Sequence, residues 1–186
     1  MKLYIGLVHY PVYNKNYQII ASAITTFDLH DLSRLGKTYG AKGFFVITPL
    51  ADQRKLADRV IRHWRQGYGA RYNPNRTEAL ELAIISPSIE DSMAEIAELE
   101  GERPLLISTD ASKQEKRSIT YSKAAALLQS EVVVFLLFGT AWGLSEEVID
   151  QSDYTLDPIE GRTGYNHLSV RAATAIILDR LTGSYG

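Results

Sequence analysis

Two turns near the carboxyl end of the sequence hold residue types that can bring a ligand against the protein backbone. The first turn, residues 139–143, reads GTAWG and directly follows an apolar run at 132–138. The second turn, residues 157–161, reads DPIEG and follows a short predicted strand at 154–156. Small residues leave backbone N–H and C=O groups accessible, and strand ends of an α/β sheet usually form the ligand crevice. Together the turns predict a site that holds its ligand through backbone groups, although either turn alone is typical of any α/β protein.

A third stretch lies at the start of the last predicted helix. We expect Asn166 or His167 to begin this helix, because apolar residues then recur at helical spacing, and Gly183 to end it. None of the three stretches has the spacing of a known phosphate loop, since the GxGxxG and GxxxxGK patterns are both missing from them.

Strands and helices alternate along the sequence, which predicts an α/β fold with a mainly parallel sheet and helices on both faces. The predicted strands cover residues 2–9, 19–26, 43–48, 80–86, 104–108, 132–138 and 154–156. The predicted helices cover residues 28–40, 51–67, 88–101 and 121–128, a short segment after Ser145, and the final segment. No internal repeat or linker interrupts this alternation, so we expect a single domain over residues 1–186.

The composition excludes several classes of protein. The 186 residues include no cysteine, which rules out a disulfide framework, a thiolate nucleophile and a cysteine-ligated zinc site. No apolar run reaches the roughly 18 residues of a membrane span, and the amino-terminal stretch lacks the form of a signal peptide. We therefore expect a cytoplasmic protein that uses no metal. The net charge of −2 does not by itself indicate nucleic-acid binding.

Positive charge is nevertheless concentrated in one region. Between Gln53 and Arg76 there are seven lysines and arginines and a single acidic residue, Asp58. We expect the second half of this region, residues 67–76, to be a basic and aromatic loop. Arginines beside tyrosines can bind phosphates and stack on bases, so Arg71, Tyr72 and Arg76 are predicted contacts to RNA. The alternative is a solvated helix face followed by an ordinary turn.

The carboxyl-terminal stretches together resemble a known superfamily. The last two motifs of the SPOUT RNA methyltransferases are similar to LLFGTAWGLSEEV followed by LDPIEG and YNHLSVRAATAIILDRL. These enzymes hold S-adenosylmethionine in three loops of an α/β domain whose chain forms a trefoil knot. The resemblance therefore implies S-adenosyl-L-methionine as the cofactor, a carboxyl-terminal knot, and a homodimer in which the second subunit completes the pocket.

The amino-terminal part of the sequence extends this resemblance. The first motif of the ribose-methylating SPOUT branch is similar to TTFDLHDLSRLGKTYGAKGFFVITP. In that motif an asparagine turn precedes a helix whose arginine helps to activate the ribose hydroxyl. Arg34 falls at the position of this arginine and is the predicted catalytic residue, whereas Asp28 and Asp31 lie in the region of the expected asparagine. Together with HYPVYNK, these segments resemble an uncharacterised SPOUT family of RNA methyltransferases.

The resemblance also implies individual binding residues. The cofactor would be contacted by Thr109, Phe138, Gly139, Thr140, Gly143, Ile159, Gly161, Asn166, Leu168 and Ser169. His167 and Arg171 would border the RNA substrate. Asp157 or Glu160 is a candidate base if the methylated atom is a ring nitrogen.

The predicted function is methyl transfer from S-adenosylmethionine to a ribose hydroxyl or a base atom of tRNA or rRNA. A sulfonium methyl group is already activated, so such an enzyme needs positioning more than acid–base groups. Two other functions stay open: a module that binds nucleotide or RNA without chemistry, and a different α/β enzyme that acts on a small phosphorylated molecule.

Overall fold

The computed structural model describes residues 1–183. Its strands are β1 (Lys2–Val8), β2 (Val12–Tyr13), β3 (Ile19–Ile20), β4 (Gly43–Ile47), β5 (Ala83–Ser86), β6 (Leu105–Thr109), β7 (Ser118–Ile119), β8 (Val133–Gly139) and β9 (Tyr154–Leu156). Its helices are α1 (Thr26–Thr38), α2 (Ala51–Gln66), α3 (Tyr68–Tyr72), α4 (Pro74–Leu80), α5 (Ile89–Glu100), α6 (Tyr121–Gln129), α7 (Glu146–Gln151) and α8 (Val170–Thr182).

Seven of these strands form one sheet in the order β5-β4-β1-β8-β6-β9-β7, and each is parallel to its neighbours. The remaining two, β2 and β3, form a small antiparallel hairpin. The central strands β1 and β8 pair over seven residues, from Lys2 opposite Val133 to Val8 opposite Gly139. Both strands are buried almost throughout, as expected for the middle of a parallel sheet that is covered on two faces.

The hydrophobic core lies on both sides of this sheet. On one side, buried residues of α1, α2, α6 and α8 pack against the sheet around Phe44 and Phe138. On the other side, residues of α5 and α7 pack around Phe45 and Phe135, whose rings meet edge to face at 5.5 Å. The predicted α/β fold with a mainly parallel sheet and helices on both faces is therefore confirmed. Among residues 1–183, none of the helices combines the length and the hydropathy needed to cross a membrane.

Helices with clear end signals were predicted closely. The segment predicted at 51–67 is α2, and the segment predicted at 88–101 is α5. Ser88 caps α5 by accepting a hydrogen bond from the backbone N–H of Asp91, and Gly101 ends the helix in the left-handed conformation, with φ of 77°. A polar cap and a terminal glycine are local signals, so they can be recognised without tertiary structure.

Four predicted boundaries were wrong. The strand predicted at 19–26 is limited to β3, because Thr25 caps α1 at that point through a hydrogen bond from Asp28 N. The strand predicted at 80–86 begins only at Ala83, since Leu80 still belongs to α4. The loop predicted at 67–76 folds into the short helices α3 and α4. The last helix begins at Val170, after the residues predicted to open it.

Candidate functional site

A large cleft lies at the carboxyl ends of β6, β8 and β9, beside the amino-terminal end of α8. Because these three strands are adjacent and parallel, their ends meet at one edge of the sheet. The hairpin of β2 and β3 and the start of α1 border the cleft on further sides. Its volume is about 1630 Å³, and most of its wall is formed by residues 109–117, 138–144, 157–159 and 166–170.

The loop after β8 folds back on itself at the border of the cleft. Thr140 N donates to the Val8 carbonyl at 3.2 Å, and Gly143 N donates to the Thr140 carbonyl at 2.9 Å. A Cβ atom at Gly139 would lie 2.5 Å from the backbone nitrogen of Leu144, so this turn requires glycine. Gly143 has φ of 101°, and a Cβ there would meet nothing within 4 Å. A side chain at position 139 would thus displace the loop backbone before it could fill the cleft.

The loops after β6 and β9 are fixed by hydrogen bonds to neighbouring strands. Thr109 Oγ1 donates to the Leu137 carbonyl at 2.9 Å, which ties the end of β6 to β8. Asp157 follows β9, and its backbone N–H donates to the Ile119 carbonyl at 2.9 Å. The Asp157 carboxylate accepts a hydrogen bond from the Ser118 hydroxyl. The candidate base Asp157 lines the cleft. Its backbone and its carboxylate are both fixed by hydrogen bonds to β7.

Residues 166–169 join two borders of the cleft before α8 begins. The side-chain amide of Asn166 donates to the Ala111 carbonyl at 2.6 Å. Because Ala111 follows β6 and Asn166 follows β9, this bond connects the two loops. Ser169 then caps α8 by accepting a hydrogen bond from Ala172 N at 3.2 Å. The start of α8 is in this way fastened to the same cleft.

The structure brings most of the predicted cofactor-binding residues together. Nine of the ten line the single cleft described above: Thr109, Phe138, Gly139, Thr140, Gly143, Ile159, Asn166, Leu168 and Ser169. Gly161 does not line it and is exposed, and the candidate base Glu160 is exposed outside it as well. His167, which was predicted to face the substrate, lines the cleft with them. Their contacts to a cofactor or substrate stay predictions.

None of the four arginines predicted to be functional lines the cleft, and two of them, Arg34 and Arg171, belong to helices that border it. Arg34 is exposed on α1 and does not line the cleft of its own chain. Arg171 instead joins α8 to α1, because its Nη1 lies 3.0 Å from an Asp31 carboxylate oxygen and its Nε lies 3.4 Å from Asp28. Its guanidinium also lies 5.5 Å from the centre of the Phe27 ring. Asp28 and Asp31, which lie in the region where the first motif would have an asparagine, thus form ion pairs with Arg171.

The predicted RNA-binding residues of the basic region divide into two groups. Arg71 and Tyr72 are exposed on α3, and the Tyr72 ring stacks on Tyr68 with centroids 6.2 Å apart and planes inclined by 23°. Arg76 instead packs its guanidinium over Trp64, 4.4 Å from the ring centre. Arg71, Tyr68 and Tyr72 are therefore free to meet a ligand, whereas Arg76 holds α4 against α2.

A chain of hydrogen bonds beside the cleft was missed in the sequence. Thr140 Oγ1 donates to the Val8 carbonyl at 2.9 Å, Ser22 Oγ lies 2.6 Å from Thr140 Oγ1, and His9 Nδ1 lies 2.9 Å from Ser22 Oγ. A carbonyl oxygen can only accept, so Ser22 donates to Thr140 and His9 Nδ1–H donates to Ser22. This order gives the neutral His9 ring an unprotonated Nε2. In the sequence, His9 carries only the signal of a residue at a strand end.

The environment of His9 opposes a positive charge. The side chain is fully buried, and its Nε2 has no hydrogen-bond partner within the described residues. Burial lowers the pKa of His9 to about 4, although the nearby Asp28 carboxylate acts in the opposite direction. His9 is therefore neutral at physiological pH, and it donates to Ser22, which lines the cleft.

A second carboxylate of the cleft wall is Asp110, directly after β6. Burial raises the pKa of Asp110, while hydrogen bonds from Ser112 N, at 2.6 Å, and from the Gln114 side chain oppose this shift. Among residues 1–183, no group of three or more histidine, aspartate or glutamate side chains is arranged to hold a metal ion. The cleft thus offers backbone groups and a few carboxylates to its ligand.

Comparison with known proteins identifies the family. A family model described as SAM-dependent RNA methyltransferase matches residues 2–183. The chain belongs to this family. An uncharacterized protein of Aquifex aeolicus is 36% identical to this methyltransferase-family chain over 180 residues, which cover 96% of the chain and 87% of the relative. A tRNA (guanine-N(1)-)-methyltransferase of Oleidesulfovibrio alaskensis is 42% identical over 181 residues, which cover 97% of the chain but only 42% of that protein. The chain thus spans less than half the length of this relative.

Solved structures agree with the SPOUT architecture that the sequence indicates. The SpoU methyltransferase AviRb from Streptomyces viridochromogenes, in complex with AdoMet, aligns with a TM-score of 0.57 at 19% identity, over 97% of this chain and 58% of that one. A probable methylase family protein from Haemophilus influenzae aligns with a TM-score of 0.63 at 15% identity, over 97% and 65%. At these identities the likeness concerns the fold. The family membership and the SPOUT likeness inferred from the sequence are confirmed.

Proposed function

We propose that this chain transfers a methyl group from S-adenosylmethionine to RNA and that the cleft at the ends of β6, β8 and β9 is its active site. One observation carries the proposal: four separate stretches of backbone, at 109–117, 138–144, 157–159 and 166–170, border one cleft. The family to which the chain belongs is defined by S-adenosylmethionine-dependent RNA methylation. Enzymes of this chemistry need the donor and the acceptor held in line at short distance.

The residues of the cleft suit S-adenosylmethionine. The loop at Gly139–Gly143 offers backbone groups at a turn that has no room for a side chain at its start. Ile177 and Ala173 of α8 add apolar surface for an adenine ring, and Asp110 and Asp157 place carboxylates near a cationic ligand. When it is bound, S-adenosylmethionine supplies a methyl group that its sulfonium has already activated.

The chain's own residues then have the tasks of binding, orientation and exclusion of water. The bond from Asn166 to the Ala111 carbonyl holds two loops around the cleft, and the His9–Ser22–Thr140 chain fixes the loop after β8. Asp110 and Asp157 are two of the six carboxylates that line the cleft, and such a group could accept a proton from an attacking ring nitrogen. A ribose hydroxyl is the other acceptor that the first-motif resemblance favours.

The RNA substrate is proposed to contact the exposed surface of α3 in addition to the cleft. Tyr68 and Tyr72 present a stacked pair of rings, and Arg71 lies between them in sequence. Such a surface binds phosphates and bases of single strands without reading much sequence. Arg76 and Arg171 would support RNA binding indirectly, by holding α4 and α8. The name of the Oleidesulfovibrio relative makes tRNA the first substrate to test.

A homodimer is proposed because Arg34 lies outside the cleft of its own chain. A catalytic Arg34 would have to reach the cleft of a second copy. Phe27, at the start of α1, and Leu168, just before α8, are exposed apolar side chains and support an interface at these helix starts. The trefoil knot, the single-domain organisation and the cytoplasmic location that the sequence suggested also belong to this proposal.

The deciding experiment is a labelled methyl-transfer assay with total RNA from cells that lack this protein. We expect incorporation of label into a small set of RNA species, and no incorporation into RNA from cells that contain it. The absence of incorporation, with S-adenosylmethionine bound normally, would leave a binding module as the better description. The absence of both incorporation and cofactor binding would exclude the proposed function.

A further inference from the structure

The hairpin of β2 and β3 is built onto the loop after β8. Tyr13 N donates to the Gly143 carbonyl at 3.0 Å, and Trp142 N donates to the Tyr13 carbonyl at 3.0 Å. Val12 and Leu144 form an antiparallel bridge beside these bonds. The hairpin and the loop therefore form one continuous backbone layer, and the side chains that project from it have fixed positions at the border of the cleft.

Three aromatic side chains project from this layer and line the cleft: Tyr13, Tyr17 and Trp142. The rings of Tyr13 and Tyr17 meet edge to face, with centroids 5.9 Å apart. Tyr17 is 78% exposed and Trp142 is 63% exposed. Burial of these two side chains within the chain therefore contributes little to its stability. Large exposed rings at the border of a cleft are a feature of binding sites for flat ligands.

The backbone of Tyr17 is strained in the conformation that keeps its ring exposed. Tyr17 has φ of 58°, the left-handed region that bulky residues rarely adopt. The turn is kept by Asn14, whose Oδ1 accepts from Asn16 N at 2.8 Å and from Gln18 N at 3.1 Å. Backbone strain of this kind persists where the surrounding structure fixes it, and such positions are concentrated at ligand-binding sites.

Cationic side chains that could contact an RNA phosphate also line the cleft. Lys113 and Lys116 both line the cleft and are exposed, and the exposed Glu115 lies between them in sequence. An unstacked nucleotide needs a flat apolar surface for its base and a cation for its phosphate, and the lining of the cleft contains both.

We propose that Tyr17 and Trp142, supported by Tyr13, form the subsite that stacks an unpaired nucleobase of the RNA substrate beside the cofactor. This inference rests on the proposed function, because it takes RNA as the ligand. It adds that the substrate is recognised as an unstacked base and that the hairpin determines this choice. The rings act by binding and orientation, so they take no part in proton transfer.

The test compares the Trp142→Ala and Tyr17→Ala variants with the wild-type chain in binding to a short single-stranded RNA, measured by fluorescence anisotropy. Loss of one stacking partner should weaken this binding about tenfold. Trp142→Phe should recover most of the affinity, because it restores an aromatic face. Leu99→Ala, which truncates an exposed side chain on α5, is the control and should bind as the wild type does. Affinity for S-adenosylmethionine should not change in Leu99→Ala, which lies outside the cleft.

The outcomes separate this inference from the proposed function. If the wild type binds single-stranded RNA and the two alanine variants bind it equally well, the stacking subsite is wrong while the proposed function stands. If the wild type binds no RNA and transfers no methyl group, both are overturned. A weaker effect of the alanine variants on single-stranded RNA than on fully paired duplex RNA would also contradict the subsite, since paired bases cannot enter it.

Discussion

Because His9 is buried and neutral, we predict that the free energy of unfolding falls in mild acid. The substitution His9→Asn should remove this pH dependence. In the unfolded chain a histidine takes up a proton near pH 6.5, whereas burial keeps the folded His9 neutral down to about pH 4. Between these two values only the unfolded state binds the proton. The free energy of unfolding therefore falls as the pH is lowered from 6.5 to 4, and His9 has no such effect above pH 7.

The size of the effect follows from the difference between the two pKa values. Each pKa unit corresponds to about 1.4 kcal/mol, so a group that titrates near 6.5 unfolded and near 4 folded destabilises the protein by about 2.5 kcal/mol between pH 7 and pH 4.5. His9→Asn removes this contribution and keeps a side-chain N–H that can donate to Ser22 in place of Nδ1. The smaller side chain lowers stability at every pH, but that loss does not depend on pH.

The assay is urea unfolding of the wild type and of His9→Asn at pH 7 and at pH 4.5, followed by tryptophan fluorescence. We expect the wild type to lose about 2.5 kcal/mol more than the variant over this interval. A second variant, His63→Asn on exposed α2, controls for histidine substitution in general. Equal losses in the wild type and in His9→Asn would refute the assignment of His9 as a buried neutral donor.

Four further predictions concern the fold, the cofactor and the RNA. Gly6→Ala should lower the free energy of unfolding by about 2 kcal/mol in urea titrations, because its Cβ would lie 2.8 Å from a buried side chain of β8. Asn166→Ala should weaken S-adenosylmethionine binding about fivefold in calorimetry, since it loses the bond that joins two loops. Arg34→Ala should keep cofactor affinity and reduce labelled methyl transfer about a hundredfold; unchanged turnover would remove Arg34 from the site. Arg71→Ala should weaken RNA binding and reduce the slope of log K against log salt concentration by about one. Anisotropy at several salt concentrations would measure this slope.

Features of the fold with local signals could be predicted from the sequence. The β8 strand is an uninterrupted apolar run that ends at Gly139, and α5 starts and ends at Ser88 and Gly101. The cofactor loops were placed by their resemblance to a superfamily, and the structure brings nine of the ten residues to one cleft. Gly161 is the exception, because the chain turns away from the cleft after Ile159.

Features that depend on distant residues could not be predicted. The region at 67–76 looks like a loop, but Asn73 caps α4 and Arg76 packs over Trp64, so the chain forms helices there. The role of Arg171 depends on its pairing with Asp31, which is 140 residues away in sequence. The start of α8 was placed too early because Asn166 bonds to a loop carbonyl instead of capping a helix.

The proximity of the aromatic residues in the proposed subsite could not be predicted from the sequence either. Tyr17 and Trp142 are far apart along the chain, and only the pairing of the β2–β3 hairpin with the loop after β8 brings both to one cleft. Tyrosines and tryptophans outside a periodic pattern carry no positional signal of their own. Their exposure beside the predicted cofactor loops becomes informative once the fold is known.

The central claim, that the loop after β8 is part of an S-adenosylmethionine site, is tested most directly by calorimetric titration of the cofactor. We predict micromolar binding to the wild type and to Gly164→Ala, whose new Cβ would meet no atom within 4 Å. Gly139→Ala places its Cβ 2.5 Å from the loop backbone, so we predict that affinity falls at least about tenfold while the chain stays folded by circular dichroism. No binding to the wild type, or equal binding to the folded Gly139→Ala variant, would contradict the claim.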